Sequence, residues 1–418
     1  MKLNFKKIIF IILIIGILVG AFELFKKYNK DNYNNMNDKL VVNDLSKMNI
    51  EEVKKYAKDN NIKIDIKYEY DNTIKKDMVI SQSIKAGEEF DDNKKLIVYI
   101  SKGILNDDVY KENKVNELGE VPIMMYHGII NKKNDETEYT GGNVDKDGYN
   151  RTTEAFRSDL EFYYNSGYRM IRLNDYINGI IDVELGKSPI ILTFDDGDEN
   201  NMKVLGKDKD GNLQIDPNCA VGILEEFKKK YPDFNVSATF FVMGGVFNQL
   251  EYNEDILKWL IKHGYDIGNH TKSHPDFTKI SMEQSQNEVG YIYNMLDNVI
   301  PGKYVNIVAL PYGSPYKKEH QNFKYILSGK YNDKEYNTTA TLRVGWTSEF
   351  SPFNKNFDKT FLKRIRAYDN DGKDFDIKMS FTNLESTKYI SDGDKNSIVV
   401  PNSIKDKLND TNLNVKTY

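Results

Sequence analysis

The sequence predicts an α/β fold for most of its length, a small α+β unit ahead of it, and a membrane-spanning helix at the start. Three observations predict this. A lysine-bounded apolar run opens the chain, a compact helix-then-strands pattern follows, and from Val121 to about Asp371 strand-like runs alternate with helical ones. Such alternation is what a parallel sheet with crossover helices produces. The 418 residues allow roughly two to three domains. Net charge is −5, with acids and bases mixed along the chain, so no basic field exists to recruit nucleic acid. The aromatic content of 12% is mostly Tyr, a residue that suits sugar faces but serves equally in cores and strands. The single cysteine, Cys219, excludes an internal disulfide. No thiolate-activating motif surrounds it, so an idle, buried thiol is expected.

Lys2, Lys6 and Lys7 precede an apolar run from Ile8 to Phe22 that reaches Phe25 with only Glu23 interrupting; Lys26 and Lys27 close it. About 18 helical residues span roughly 27 Å, close to the hydrocarbon thickness of a bilayer. We read residues 1–30 as a single-pass anchor in the cell membrane, with the rest of the chain extracytoplasmic. Val19-Gly20-Ala21 is a passable cleavage site, so a secreted protein with a removed signal peptide is the alternative. Residues 31–39 are polar and Asn-rich, a short tether.

From Leu40 to Gly103, Ile50, Val53 and Ala57 share one face of a short helix that Asn49 or Ser46 would cap. Ile62, Ile64, Ile66 and Tyr68 alternate as a strand, and Met78–Ser83 and Leu96–Ile100 are two more. With Ala86-Gly87 as a turn and Ser101-Lys102-Gly103 closing, this unit resembles a PASTA domain. Asn43 and Ile84 stand where that family usually has prolines. The resemblance implies a wall-facing module that touches peptidoglycan or simply spaces the enzyme from the membrane. Residues 104–120 are charged and read as a linker, residues 121–371 as the α/β domain, and residues 372–418 as a domain edge or a tail.

Four motifs in the α/β region carry chemistry. Ile190-Ile191-Leu192-Thr193-Phe194 is a buried-strand pattern that ends in Asp195-Asp196-Gly197. Alone, Asp-Asp-Gly is most often a turn, yet α/β folds build their sites at the C-terminal ends of strands. His270 and His274 lie four apart; on a helical turn that spacing sets both imidazoles on one side, ready for a divalent metal. A carboxylate from the first motif would complete a two-His, one-carboxylate set with open positions. Val121-Pro122-Ile123-Met124-Met125-Tyr126-His127 and Val308-Ala309-Leu310-Pro311-Tyr312-Gly313 are apolar strands ending, respectively, at a titratable side chain and at a turn.

Together the four motifs resemble the NodB-type polysaccharide deacetylases, carbohydrate esterase family 4, over Val121 to about Arg366. The resemblance implies a distorted (β/α) barrel that hydrolyses N-acetyl groups on a glycan. It implies Asp195 as general base, Asp196, His270 and His274 as metal ligands, and the Tyr312 backbone N–H as an oxyanion contact. Zinc is the physical default for such a set, with cobalt, nickel and manganese as other fits. Two departures matter. No histidine follows His320, so the usual C-terminal acid histidine is absent; Met125-Tyr126-His127 resembles the permuted branch, which implies His127 as general acid. Ala309 stands where many members have an arginine that orients the base, and Arg364 is the candidate substitute, with a plain surface arginine as the alternative. Trp346 is expected to pack in the barrel, His263 and His320 to be structural or exposed, and Asp198 and Glu199 to line the cleft or face water. Residues 203–219 look like an insertion. The expected substrate is peptidoglycan N-acetylglucosamine. The alternatives are an exopolysaccharide such as poly-N-acetylglucosamine, an O-acetyl ester, and a catalytically dead wall-binding scaffold.

Overall fold

The computed structural model describes residue 26 and residues 40–71, 73–91, 93–131 and 144–418. The expected anchor, residues 1–30, lies outside the described residues except for Lys26. Among the described residues no helix is long and apolar enough to cross a membrane. The chain divides into two compact units, Met1–Asn106 and Asp107–Tyr418.

In the first unit, helix α1 (Ile50–Asp59) starts at Asn49, whose side chain accepts from the Glu51 and Glu52 amides while Glu52 accepts from the Asn49 amide (2.8 Å). This reciprocal cap satisfies amides the helix cannot bond internally. Val53 and Ala57 face a three-stranded sheet of β1 (Ile64–Glu69), β2 (Val79–Gln82) and β3 (Leu96–Ser101). The order is β1-β3-β2, with β1 parallel and β2 antiparallel to the central strand. Leu96, Val98 and Ile100 alternate into the core from that strand, each fully buried.

The second unit is built on eight parallel strands: β4 (Ile123–Tyr126), β5 (Tyr168–Met170), β6 (Ser188–Phe194), β7 (Thr239–Val242), β8 (Asp266–Asn269), β9 (Ile307–Ala309), β10 (Ala340–Leu342) and β11 (Ile365–Arg366). Their order is β10-β9-β8-β7-β6-β4-β11, with β5 alongside β6. The sheet curls into a half-barrel, and a parallel bridge between Leu342 and Leu362 ties β10 to the residues leading into β11. All seven residues of β6 are buried, as expected of a parallel strand covered on both faces. Met124, Leu192, Phe194, Phe240 and Ile365 join one core with the helices α2 (Thr153–Asn165), α3 (Ala220–Lys230), α4 (Asn253–Lys262) and α5 (Met282–Val299). Ile123, Ile191, Phe241, Ala309 and Leu342 fill the other, inner face. Because strand side chains alternate, Met125 and His127 share the face of Ile123, Thr193 and Asp195 that of Ile191, and Arg364 and Arg366 that of Leu362.

One expectation needs correction. Residues 104–120 are not a structureless linker: Asp107–Asn113 is helical and Tyr110 is buried. Glu117, within that stretch, is 2% exposed and accepts from Tyr389 Oη (2.7 Å), the Val399 amide (2.7 Å) and the Asp392 amide (3.3 Å). Those partners sit in residues 372–418, which form a helix (Ile377–Leu384) and a parallel strand pair (Ser397–Val400 and Asn414–Thr417) at the domain's edge. Three hydrogen bonds make the buried carboxylate tolerable, and they stitch the two ends of the unit together. The insertion at 203–219 holds an antiparallel strand pair, Val204–Lys207 with Leu213–Ile215. Cys219 is buried at the start of α3, where burial pushes its thiol up to about 11.

Candidate active site

The first carboxylate pair forms where β6 stops. Asp195 still holds the sheet, its amide donating to Tyr126 O (2.9 Å). Asp196 and Gly197 then turn into the left-handed region (φ 70° and 65°), which Asp tolerates better than most residues. A side chain at 197 would come within 2.3 Å of Val246 O, so only glycine fits. The turn sends the two acids to different tasks. Asp195 points inward, 1% exposed, and meets Arg364 in a bidentate pair of 2.7 and 2.6 Å. Arg364 is itself completely buried. Its other hydrogen bonds go to Arg343 O (2.9 Å) and Thr193 Oγ1 (3.1 Å), and Thr193 in turn donates to Met124 O (2.7 Å). Burial alone would raise the Asp195 carboxyl. Arg364, His270 and His127 outweigh it and hold the group below the ordinary carboxylate range.

Asp196 turns toward the two histidines. Its Oδ1 lies 3.1 Å from His270 Nε2 and 3.6 Å from His274 Nε2, and one ligand atom from each residue falls within 4.8 Å of the others. The spacing of four does not come from a helix, as the sequence suggested. Strand β8 ends at Asn269, and Thr271 and His274 both adopt positive φ (70° and 56°). Asn269 folds this loop by accepting from the Thr271 amide (2.8 Å) and donating to Val289 O (2.9 Å); Thr271 Oγ1 then accepts from the His274 amide (3.1 Å). The two imidazoles end 4.9 Å apart, centroid to centroid.

These residues fit a cation on their own chemistry. His270 Nδ1 bonds Ala309 O (2.9 Å), and a carbonyl only accepts, so the proton sits on Nδ1. When the ring is neutral, Nε2 then aims its lone pair at a carboxylate oxygen. That Nε2 is buried and has no aligned hydrogen-bond partner. Two acceptors face each other across 3.1 Å, an arrangement that a shared cation or an extra proton stabilises.

His127 lines the same cleft, a cavity of about 700 Å³ shared with Asp195, Asp196, His270, His274 and Tyr312. The imidazole is 8% exposed, its Nδ1 has no partner, and its edge meets the Tyr149 ring (5.2 Å). Asn201 Nδ2 fixes the backbone by donating to His127 O (2.7 Å). Burial lowers the His127 pKa, and the nearby Asp195 and Asp196 offset only part of that. Tyr312 sits in the Pro311–Gly313 turn at φ 57°, a strained value for an aromatic residue. The Gly313 and Ser314 amides close that turn onto Leu310 O and Pro311 O (2.8 and 2.9 Å), and neither bond uses the Tyr312 N–H. Its exposed ring packs on His274 (4.5 Å).

The structure thus brings all seven singled-out residues to one end of the sheet or to the residue behind it. Asp198 also lines the cleft, and burial together with Asp196 pushes its carboxyl up to about 6. Trp346 does not pack inside the barrel: it is 37% exposed. His263 stacks on Trp259 (3.6 Å) outside the cleft, and His320 Nδ1 accepts from the Asn322 amide (3.2 Å). Tyr149 and Arg366 line the cleft too. The sequence reading missed both, although Arg366 lies two residues beyond Arg364 on the same strand face.

A parallel α/β sheet with an Asp-His-His set that could hold a cation and a separately clamped carboxylate at its strand ends is the arrangement of an α/β enzyme with its site at the strands' C-terminal ends. The comparisons narrow the class. Residues 182–325 match the polysaccharide deacetylase family, and residues 40–102 match the PASTA domain; the chain carries a polysaccharide deacetylase domain preceded by a PASTA domain. A stretch of 145 residues is 29% identical to a peptidoglycan-N-acetylglucosamine deacetylase of Bacillus cereus, covering 34% of this chain and 44% of that protein. Another of 133 residues is 29% identical to the peptidoglycan-N-acetylmuramic acid deacetylase PdaC of Bacillus subtilis, covering 31% and 23%. The chain thus spans less than half the length of either curated relative. Among solved structures, the Streptococcus pyogenes deacetylase PplD in complex with acetate aligns over 65% of this chain and 98% of its own at 19% identity, with a TM-score of 0.45.

Proposed function

We propose that the second unit hydrolyses N-acetyl groups on a cell-wall polysaccharide, with peptidoglycan N-acetylglucosamine as the first substrate. The observation that carries this reading is the division of labour between adjacent acids: Asp195 is clamped by Arg364, while Asp196 shares one oxygen with two imidazoles. Asp196, His270 and His274 would hold the ion, zinc by physical default. Bound there, it would polarise the acetyl carbonyl and acidify water.

The chain's own groups do the rest. Asp195, kept ionised by Arg364, accepts the proton of the attacking water as its oxygen bonds to the acetyl carbon. The Tyr312 N–H donates to the oxyanion that forms. His127, on the same cleft, gives its proton to the departing nitrogen as the C–N bond breaks, leaving acetate and a free amine. A buried imidazole with a lowered pKa is a strong acid once charged, which suits that step. On this reading the unit works outside the cell, and the PASTA domain and an N-terminal anchor hold it near the wall. The same chemistry would serve an exopolysaccharide, and His127 on an N-terminal strand favours that as the second reading.

The test is acetate release by the purified, metal-loaded chain from peptidoglycan and from poly-N-acetylglucosamine, with Asp195→Asn as control. We expect a loss of roughly 10² to 10⁴ in kcat for the variant and abolition by a chelator with recovery on zinc addition. Glycan binding with no acetate from either polymer would leave only a scaffold.

A further inference from the structure

We propose that Arg366 is a specificity residue that recognises a carboxylate carried on the glycan beside the N-acetyl group to be cleaved. This rests on the deacetylase reading above and deepens it by naming the charge of the substrate.

Arg366 ends β11, two residues after Arg364 and on the same face. The two arginines have opposite surroundings. Arg364 is sealed and paired with Asp195. Arg366 is half-buried on the cleft and stacks on two rings, with its Cζ 4.0 Å from the centroid of Trp346 and 4.8 Å from that of Tyr149. Its Nε is buried with no hydrogen-bond partner among the described residues. Arg151, Arg157, Arg169 and Arg172 all pair with carboxylates in this unit; among the described residues Arg366 has none, as is true also of Arg343, which lies over the Phe361 ring and does not line the cleft. Gly148, at φ 77°, leaves the space: a Cβ there would come within 3.1 Å of Arg366 Nη1.

Stacking on aromatic rings uses the face of a guanidinium and orients it without neutralising it. What remains is the planar N–H edge, whose fork matches a carboxylate in two parallel bonds. The location fits a substrate group. The Tyr149 ring touches both the His127 ring and the Arg366 guanidinium, so one aromatic ring separates the proposed acid from this cation. A sugar whose nitrogen lies at His127 would set a substituent, or that of its neighbour, on Arg366. In a wall glycan freed of its peptide stems, the sugar with an ether-linked lactyl group supplies such a carboxylate. A homopolymer of N-acetylglucosamine supplies none.

The experiment compares two oligosaccharides of equal length with the full, metal-loaded chain. One is a neutral N-acetylglucosamine oligomer; the other is peptide-free and alternates with the lactyl-bearing sugar. Affinity is read by calorimetry and by tryptophan fluorescence, since Trp346 contacts Arg366; KM and kcat are read by acetate release. We expect the wild type to favour the carboxylate oligomer by roughly tenfold to a hundredfold in affinity, the range of one charge-assisted pair. Arg366→Gln should bring that ratio to about one, and Arg366→Lys should retain part of it, as a point charge without the fork. A wild-type ratio near one, or a ratio that survives in Arg366→Gln, overturns the proposal. Selective binding without acetate from either oligomer would sink the hydrolase reading and leave the carboxylate site standing; acetate release without preference would do the reverse.

Discussion

Replacing Arg364 with methionine removes the clamp on Asp195 while filling similar space. Both side chains of the pair are essentially inaccessible, 0% and 2% exposed, so solvent does not dilute the effect. Breaking one side of a buried ion pair costs about 3–5 kcal/mol because the other charge is left uncompensated. The cost has a pH signature. In the wild type the Asp195 carboxyl sits below its ordinary range, because Arg364, His270 and His127 outweigh burial. A depressed folded-state pKa contributes stability above the unfolded value, about 3.9, and that contribution is lost as pH falls through the folded value. In Arg364→Met burial acts with its main opponent gone, and the folded-state pKa rises. The variant then loses stability as pH rises past about 4. The stability gap, already present at pH 4, should therefore widen towards neutral pH, measured by denaturant unfolding at both. The acid limb of kcat/KM should shift to higher pH in the same variant, and Arg364→Met with Asp195→Asn should recover part of the lost stability. An acid limb unmoved from wild type, or a stability gap equal at the two pH values, would refute the claim that Arg364 sets the protonation of Asp195.

Three further outcomes test other parts of the structure. His127→Ala should lose roughly 10² to 10⁴ in kcat while binding the ion as the wild type does, checked by equilibrium dialysis; near-normal turnover would remove His127 from the mechanism. Arg151 is the buried partner of Asp159, with a bond of 2.6 Å between them, and Tyr126 Oη also donates to that carboxylate (3.1 Å). Arg151→Met should cost about 3–5 kcal/mol, whereas Arg151→Met with Asp159→Leu should cost less than the single change, both read by chemical denaturation. In the first unit, Asn49→Ala removes the α1 cap and should cost about 1 kcal/mol, seen as a lower unfolding midpoint.

What could be read from the sequence was what is encoded locally. Asp195 and Asp196 follow a seven-residue buried strand, and the break from apolar run to paired acids is visible without a structure. His270 and His274 stand close in sequence, so their meeting was legible. The reason for it was not: the loop is shaped by Asn269 and two positive-φ residues rather than by a helical turn. The Arg364–Asp195 pair joins residues 169 apart, and no periodicity announces such a contact. Ala309, where an arginine was expected, and an otherwise unexplained Arg364 gave only a suspicion; the curl that brings β11 beside β4 turned it into a bond. The linker reading of residues 104–120 failed for the opposite reason: a charged stretch reads as solvent-facing, and only the partners of Glu117 at 389–399 reveal a buried joint. Two arginines, Arg364 just before β11 and Arg366 at its end, show the limit best. Alternation alone sets Arg364 and Arg366 on one face, but it says nothing of their company. A carboxylate lies beside the first, and among the described residues aromatic rings flank the second, so the same residue type pairs with Asp195 at one position and faces the cleft at the other.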